Sequence, residues 1–162
     1  MKRILTMTCI ALTLFAVGCK KDKKESSSDY GSWTLAGKTY KVAYSAKTTT
    51  SGGTPTTLYI FSDAVLTGSN PTANTFNLSF KTPPTSSGSY ELVSVATSNL
   101  TDKQFQLSAG GSATGTYAYI GSTIGIHVTV NNGKIEIAIP EITMKSTSSQ
   151  PDAKFSATVK EM

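Results

Sequence analysis

The chain has 162 residues, two of them cysteines, and a formal net charge of +5 from 15 basic and 10 acidic residues. This length is enough for one domain of ordinary size. From Tyr30 onward, nine basic residues stand against seven acidic ones, so this part of the chain is nearly neutral. The balance gives no electrostatic case for nucleic-acid binding.

The first 18 residues have the pattern of a secretory signal peptide. Lys2 and Arg3 precede an apolar run from Ile4 to Val17, and this order is typical of such signals. The run is shorter than the roughly 20 apolar residues that a membrane-spanning helix needs. A buried core helix fits poorly, because no charged residue interrupts the run to give it a second face. We therefore expect residues 1–18 to be cleaved from the mature chain.

The residues "AVGC", which end at Cys19, resemble the lipobox of bacterial lipoproteins. One departure is Ala16, where that family most often has leucine. The resemblance implies that Cys19 becomes the new N-terminus and carries a diacylglyceryl thioether and an acylated amine, with chains such as palmitate. Two or more acyl chains give a stable lipid anchor. Cleavage would also remove Cys9, which leaves the mature chain without a thiol for a disulfide, a nucleophile or a metal.

The stretch "KKDKKESSSD" that follows contains no apolar residue, so it cannot bury itself and is predicted to be a disordered tether. Its lysines either attract an anionic leaflet or only keep a spacer soluble. In lipoproteins of enteric bacteria an aspartate directly after the cysteine commonly retains the protein at the inner membrane. Lys20 stands there instead, which favours the outer membrane of the cell envelope. We expect the lipidated cysteine and tether to span 19–31 and an all-β domain to span 32–162.

From Trp33 to Val159 the sequence consists of short alternating runs rich in β-branched and aromatic residues, divided by Gly, Ser, Asn and Pro. This pattern predicts strands, and no segment has an apolar helical repeat. About ten strands in one domain indicate an antiparallel β-sandwich or a flattened barrel. The expected strands are 32–36, 39–46, 57–62, 75–81, 89–96, 103–108, 114–120, 124–130, 134–145 and 153–160.

The clearest element lies between Ile124 and Pro140. Apolar residues alternate with polar ones on both sides of Asn132 and Gly133, the pair that favours a type I′ turn. This segment predicts a β-hairpin with one buried face. The alternation changes phase at Pro140, so we expect a bulge or an edge position there.

Several stretches of the body resemble the small, mostly uncharacterised all-β lipoprotein domains of Bacteroidetes. These are "GSWTLAGKTYKV", "PPTSSGSYELV", "GKIEIAIPEITMK" and "AKFSATVKE". The resemblance implies a cell-envelope β-sandwich and transfers no site residues. A looser similarity to lipocalin-like lipoproteins rests on Gly31, Trp33 and Leu35.

No pattern of catalytic or metal-binding residues stands out. His127 is the only histidine and lacks the cysteine and histidine companions of a zinc site. The chain contains no G-x-S-x-G motif, and its carboxylates are dispersed. We therefore expect a protein that is not an enzyme and needs no metal or cofactor.

Aromatic residues are the class that suggests binding. Tyr117 and Tyr119 share one strand face, and Tyr59 shares a face with Phe61. Exposed rings of this kind stack on sugars or line an apolar pocket, whereas the more common use of strand tyrosines is to fill a core. The expected function is that of a membrane-anchored lipoprotein that binds a glycan or an apolar small molecule. The alternative is a structural or assembly lipoprotein that binds an envelope protein.

Overall fold

The structure is a computed structural model that describes residues 30–50, 56–67 and 72–162. The predicted signal peptide, Cys19 and the tether up to residue 29 lie outside these ranges. The described residues form eleven strands and no helix, and so no helix among them is able to cross a membrane. The strands are β1 (Gly31–Leu35), β2 (Lys38–Lys41), β3 (Tyr44–Thr50), β4 (Thr56–Ser62), β5 (Asn74–Phe80), β6 (Gly88–Leu92), β7 (Gln104–Gly111), β8 (Gly115–Ala118), β9 (Ile124–Asn131), β10 (Lys134–Ser146) and β11 (Ala153–Lys160).

Five strands close into a small barrel, in the order β10, β9, β6, β7 and β8, because β8 pairs with both β7 and β10. The sheet continues from β10 through β11 and β1 to β2, which we call the first wing. It continues from β7 through β5 and β4 to β3, which we call the second wing. All pairings are antiparallel except a short parallel contact between β6 and β7. The prediction of an all-β sandwich or flattened barrel is confirmed.

The hairpin predicted between Ile124 and Pro140 is present as β9 and β10. Asn132 and Gly133 have φ values of 52° and 76°, the positive pair that a type I′ turn requires. The register against β11 shifts between Ile139 and Ile142. This shift is the predicted bulge, because the two residues between them change which side of the strand faces the core.

The single strand predicted at 39–46 is wrong, since the chain forms β2 and β3 there. Val42 donates its backbone N–H to the carbonyl of Gly31 at 3.0 Å, and Ala43 donates to the carbonyl of Ser62 at 2.8 Å. These two residues therefore carry the chain from the first wing to the second. Val42 is fully buried, so its apolar character continues the strand pattern and hides the break.

Aromatic rings join the two wings into a sandwich. The ring of Phe76 on β5 lies 5.3 Å from that of Trp33 on β1 and 5.4 Å from that of Phe155 on β11. A second group surrounds Phe80, whose ring stacks on that of Phe105 at 4.9 Å. Full burial of each large apolar side chain contributes about 1.5–3 kcal/mol to folding. The described residues include no cysteine, so this core holds them together without a disulfide.

Candidate binding surface

The three tyrosines considered for ligand binding all lie in the core. Tyr59 is fully buried, while Tyr117 and Tyr119 are 4% and 5% exposed. The expectation of exposed tyrosine rows is therefore wrong, and the alternative that these rings fill the core is correct. Both sides of β4 are apolar, and folding turns the rings inward and leaves Leu58 and Ile60 half-buried on the outside.

Neighbouring side chains enclose the ring of Tyr59, which is not exposed to solvent. The ring packs edge-on against Phe80 at 5.6 Å, and Nζ of Lys47 lies 5.4 Å from the ring centroid. Burial, reinforced by the nearby Glu161, raises the pKa of the Tyr59 hydroxyl well above its usual value. That hydroxyl has no hydrogen-bond partner among the described residues.

The polar residues considered for catalysis or metal binding are not brought together. His127 is exposed on β9, opposite Ser89 of β6. Asp63 accepts hydrogen bonds from the backbone and side chain of Asn74, each at 2.8 Å. Asp152 accepts one from Lys145, which lowers the pKa of its carboxyl. No group of three metal-ligating side chains occurs in the described ranges.

The outward side of β10 and β11 is charged, and we call it the charged face. Its long side chains alternate with the buried residues of each strand and extend into solvent. Lys154 and Glu141 form an exposed ion pair at 3.6 Å. The charged side chains of these two strands are Lys134, Glu136, Glu141, Lys145, Lys154 and Lys160.

The outward side of β3, β4, β5 and β7 carries no charge, and we call it the uncharged face. Lys47 is the only charged residue in these four strands and in β8, and it belongs to the side of β3 that faces the core. Cross-strand pairing places the outward side chains in rows. One row is Thr48, Leu58, Ser79 and Gln106, and the next is Ala46, Ile60, Asn77 and Ser108.

This face is flat, and its side chains partly cover one another from solvent. Its residues on β4, β5 and β7 are half-buried, apart from the buried Ser62, whereas most outward residues of β10 and β11 are exposed. Gln106 fixes one border of the face, because its amide donates to the backbone carbonyls of Ser94, Val95 and Thr97 at 3.3, 3.2 and 2.8 Å. The result is a broad, uncharged and weakly apolar surface.

A solvent-open depression of about 370 Å³ continues this face toward β8. Thr75, Asn77, Ser108 and Thr116 line it with hydroxyl and amide groups. Gly110 forms part of the floor, and a Cβ there would meet the carbonyl oxygen of Gly115 at 2.4 Å. The close approach of β7 and β8 therefore depends on this glycine.

The sequence contains a signal for this face that the reasoning from aromatic residues missed. Between Lys47 and Lys81 the only charged residue is Asp63. The stretch from Gln104 to Ile120 has no charged residue. Only the pairing of β5 with β7 shows that these two stretches share a surface.

Comparisons with protein-family models, with curated proteins and with solved structures find no match for this chain.

Proposed function

We propose that this protein is a lipid-anchored lipoprotein of the cell envelope with a non-catalytic binding role, and that it binds a protein partner through the uncharged face. The observation that carries the binding role is the absence of charged residues from the outward side of four adjacent strands. The core of a protein interface is depleted of Lys, Glu and Asp relative to the rest of the surface. The charged face shows that other strands of the same domain carry lysine and glutamate on their outward side.

The size of the face sets the kind of complex. Four strands about 4.8 Å apart, each with seven residues rising about 3.3 Å, cover roughly 450 Å². A standard interface buries about 800 Å² on each partner. The uncharged face alone therefore supports a weak or transient complex, and a stable one also needs a neighbouring element.

The anchor is supported by the sequence before the domain. The charged start, the apolar run and the small residues before Cys19 occur in the order that export and lipidation require. Two or more acyl chains hold a protein on a membrane without a hydrophobic surface of its own. The surface of the nearly neutral domain is then available to bind a partner. Lys20, directly after Cys19, favours the outer membrane as the location.

A short neutral glycan is the second candidate ligand. The depression beside β8 offers hydroxyl and amide groups from Asn77, Ser108 and Thr116, which pair with sugar hydroxyls. The wide, shallow form of the face and the burial of Tyr59, Tyr117 and Tyr119 favour a protein over a glycan or an apolar small molecule.

The binding role is tested by photo-crosslinking in cells. A photoreactive amino acid at Asn77, on the uncharged face, is expected to give one discrete protein adduct. The substitution Ser79→Lys should abolish that adduct, because it places a charge in the centre of the face. The matched control is Ser156→Lys, the same change on the outward side of β11, which should leave the adduct intact.

The outcomes separate the candidates. No adduct, or an adduct unaffected by Ser79→Lys, argues against the face as a protein-binding surface. A glycan-array signal that Ser79→Lys or Asn77→Lys removes, with no protein adduct, assigns the face to a glycan.

The anchor is tested separately, since Cys19→Ser should abolish incorporation of an alkyne analogue of palmitate and release the protein from the membrane fraction.

A further inference from the structure

Each wing ends in a strand with one edge that pairs with no other described strand, and the two edges differ. An unpaired edge offers a row of backbone N–H and C=O groups to another strand, and natural proteins blunt such edges by shortness, lysine, proline or bulges. β2 has four residues, with Lys38 and Lys41 at its ends. β3 has seven residues without proline and pairs with β4 along its whole length with no register shift. The β3 edge is the open one.

Hydrogen bonds at the end of β4 show which backbone groups of β3 point to this edge. Successive residues of a strand direct their backbone groups to opposite neighbours. The carbonyl of Ser62 accepts from Ala43 on the β3 side, and Asp63 donates to Asn74 on the β5 side. Even-numbered residues of β4 therefore face β3.

The register then assigns β3 itself. Even-numbered residues of β4 pair with even-numbered residues of β3, so Ser45, Lys47 and Thr49 direct their backbone groups away from the sheet. Met162 donates its backbone N–H to Oγ of Ser45 at 2.8 Å, which covers the start of the edge. The open part is formed by the exposed residues from Lys47 to Thr50.

Lys47 gives this open edge a charge preference. Its ammonium group lies on the core-facing side of β3 above the ring of Tyr59, so it does not block the edge. No carboxylate of the described residues forms an ion pair with it. Opposite charges on paired strands stabilise the pairing, and so a strand added here gains from an acidic side chain opposite Lys47.

We propose that the free edge of β3 is a strand-addition site for an extended segment of a protein partner. The segment pairs its backbone with Lys47 and Thr49, places an acidic residue beside Lys47, and directs uncharged or apolar residues to the side of Ala46. Backbone hydrogen bonds supply affinity in this mode, and alternate side chains supply specificity. This inference rests on the proposed function, because the added strand enlarges the uncharged face toward a standard interface.

A matched pair of proline substitutions in the full-length protein tests the site. Thr49→Pro removes an N–H that points to the free edge of β3 and should leave the sheet intact, because proline is tolerated at edges. Thr39→Pro is the control on β2. Val42 directs its backbone N–H toward β1, where it binds the carbonyl of Gly31. Alternation along the strand therefore directs the backbone groups of Thr39 away from β1, toward the outer edge of β2. Each variant also loses one threonine hydroxyl contact, Thr49 to Thr57 at 3.4 Å or Thr39 to Thr34 at 3.1 Å.

The probe is the synthetic peptide Ser-Val-Thr-Val-Glu-Val-Thr-Val-Ser, amidated and labelled for fluorescence anisotropy. Thr49→Pro should weaken its binding about tenfold or more, the effect of losing one backbone hydrogen bond together with a steric block. Thr39→Pro should leave the affinity unchanged. Replacing the peptide glutamate with lysine should also weaken binding. In the wild-type protein, the peptide should slow hydrogen exchange of the Lys47 and Thr49 amides.

Three results would overturn the proposal: no binding of the peptide, equal weakening by both prolines, or exchange protection outside β3. A concentration-dependent dimer that Thr49→Pro dissociates would do so as well, since the occupant is then a second copy of the chain. Crosslinking at Asn77 that remains sensitive to Ser79→Lys while the peptide fails would overturn the edge site alone and leave the proposed function standing.

Discussion

The two outer faces of the molecule share one core and yet differ in the charge of their outward side chains. The outward residues of β10 and β11 include four lysines and two glutamates, whereas those of β4 and β5 are serine, threonine, asparagine, leucine and isoleucine. The core requires only that one side of each strand be apolar. Folding therefore does not require the difference between the faces, and this is the reason for the proposal that the uncharged face binds a partner.

The largest expected effect comes from breaking the core on which both faces depend. Phe76→Ala removes the ring that contacts Trp33 and Phe155 across the two wings, and should lower the free energy of unfolding by about 3–5 kcal/mol. Asn77→Ala, on the outward side of the same strand, should change it by no more than about 0.5 kcal/mol. Urea denaturation measures both. Similar values for the two variants would mean that the wings do not depend on a shared core.

Much of the fold is predictable from local sequence. The hairpin of β9 and β10 follows from strict alternation around Asn132 and Gly133, and its bulge follows from the phase change at Pro140. The break between β2 and β3 is not predictable in this way. Val42 is apolar, as a core-facing strand residue would be, but it is buried in the connection between the two wings and not within a strand. The local pattern indicates that a residue is buried, but it does not indicate to which wing the residue belongs.

The candidate site was harder to predict than the fold. Tyr59 and Leu58 lie on opposite sides of a strand that is apolar on both, so alternation alone cannot say which side faces the core. The pairing of β4 with β5 decides this, and it also brings Ile60 beside Asn77. The uncharged face is a property of several strands together, and strand order is the information that a single sequence lacks.

An intermediate effect is expected in the core, where the buried tyrosines Tyr59 on β4 and Tyr90 on β6 differ in one hydrogen bond. The hydroxyl of Tyr90 donates to the carbonyl of Ser86 at 3.1 Å, whereas that of Tyr59 has no partner among the described residues. Tyr59→Phe should raise the free energy of unfolding by about 1 kcal/mol, because an unsatisfied buried group is removed. Tyr90→Phe should lower it by about 1 kcal/mol, because a made bond is lost.

Thermal and urea unfolding of the two variants measure this contrast. Equal destabilisation by both would show that the Tyr59 hydroxyl is satisfied by a bound water, and the inner side of the second wing would then hold an ordered solvent molecule.

The smallest effect belongs to the charged face, at the pair formed by Lys145 and Asp152. The hydrogen bond from Lys145 lowers the pKa of the Asp152 carboxyl below its usual 3.8. A carboxyl with a lowered pKa in the folded state stabilises the protein above its unfolded pKa, and that contribution is lost as the pH falls through the folded pKa. The pair is solvent-exposed, so its contribution is small and decreases with added salt.

Asp152→Asn should therefore lower the unfolding midpoint slightly at neutral pH and make no difference well below pH 3.8. Lys145→Met should do the same, and the double variant should be no worse than either single one, because both remove one interaction. Urea titrations at several pH values measure these differences. A loss from Asp152→Asn that persists at low pH would instead assign Asp152 a packing role in the turn before β11. The charged face would then contribute to the fold as well as to solubility, and its contrast with the uncharged face would be weaker.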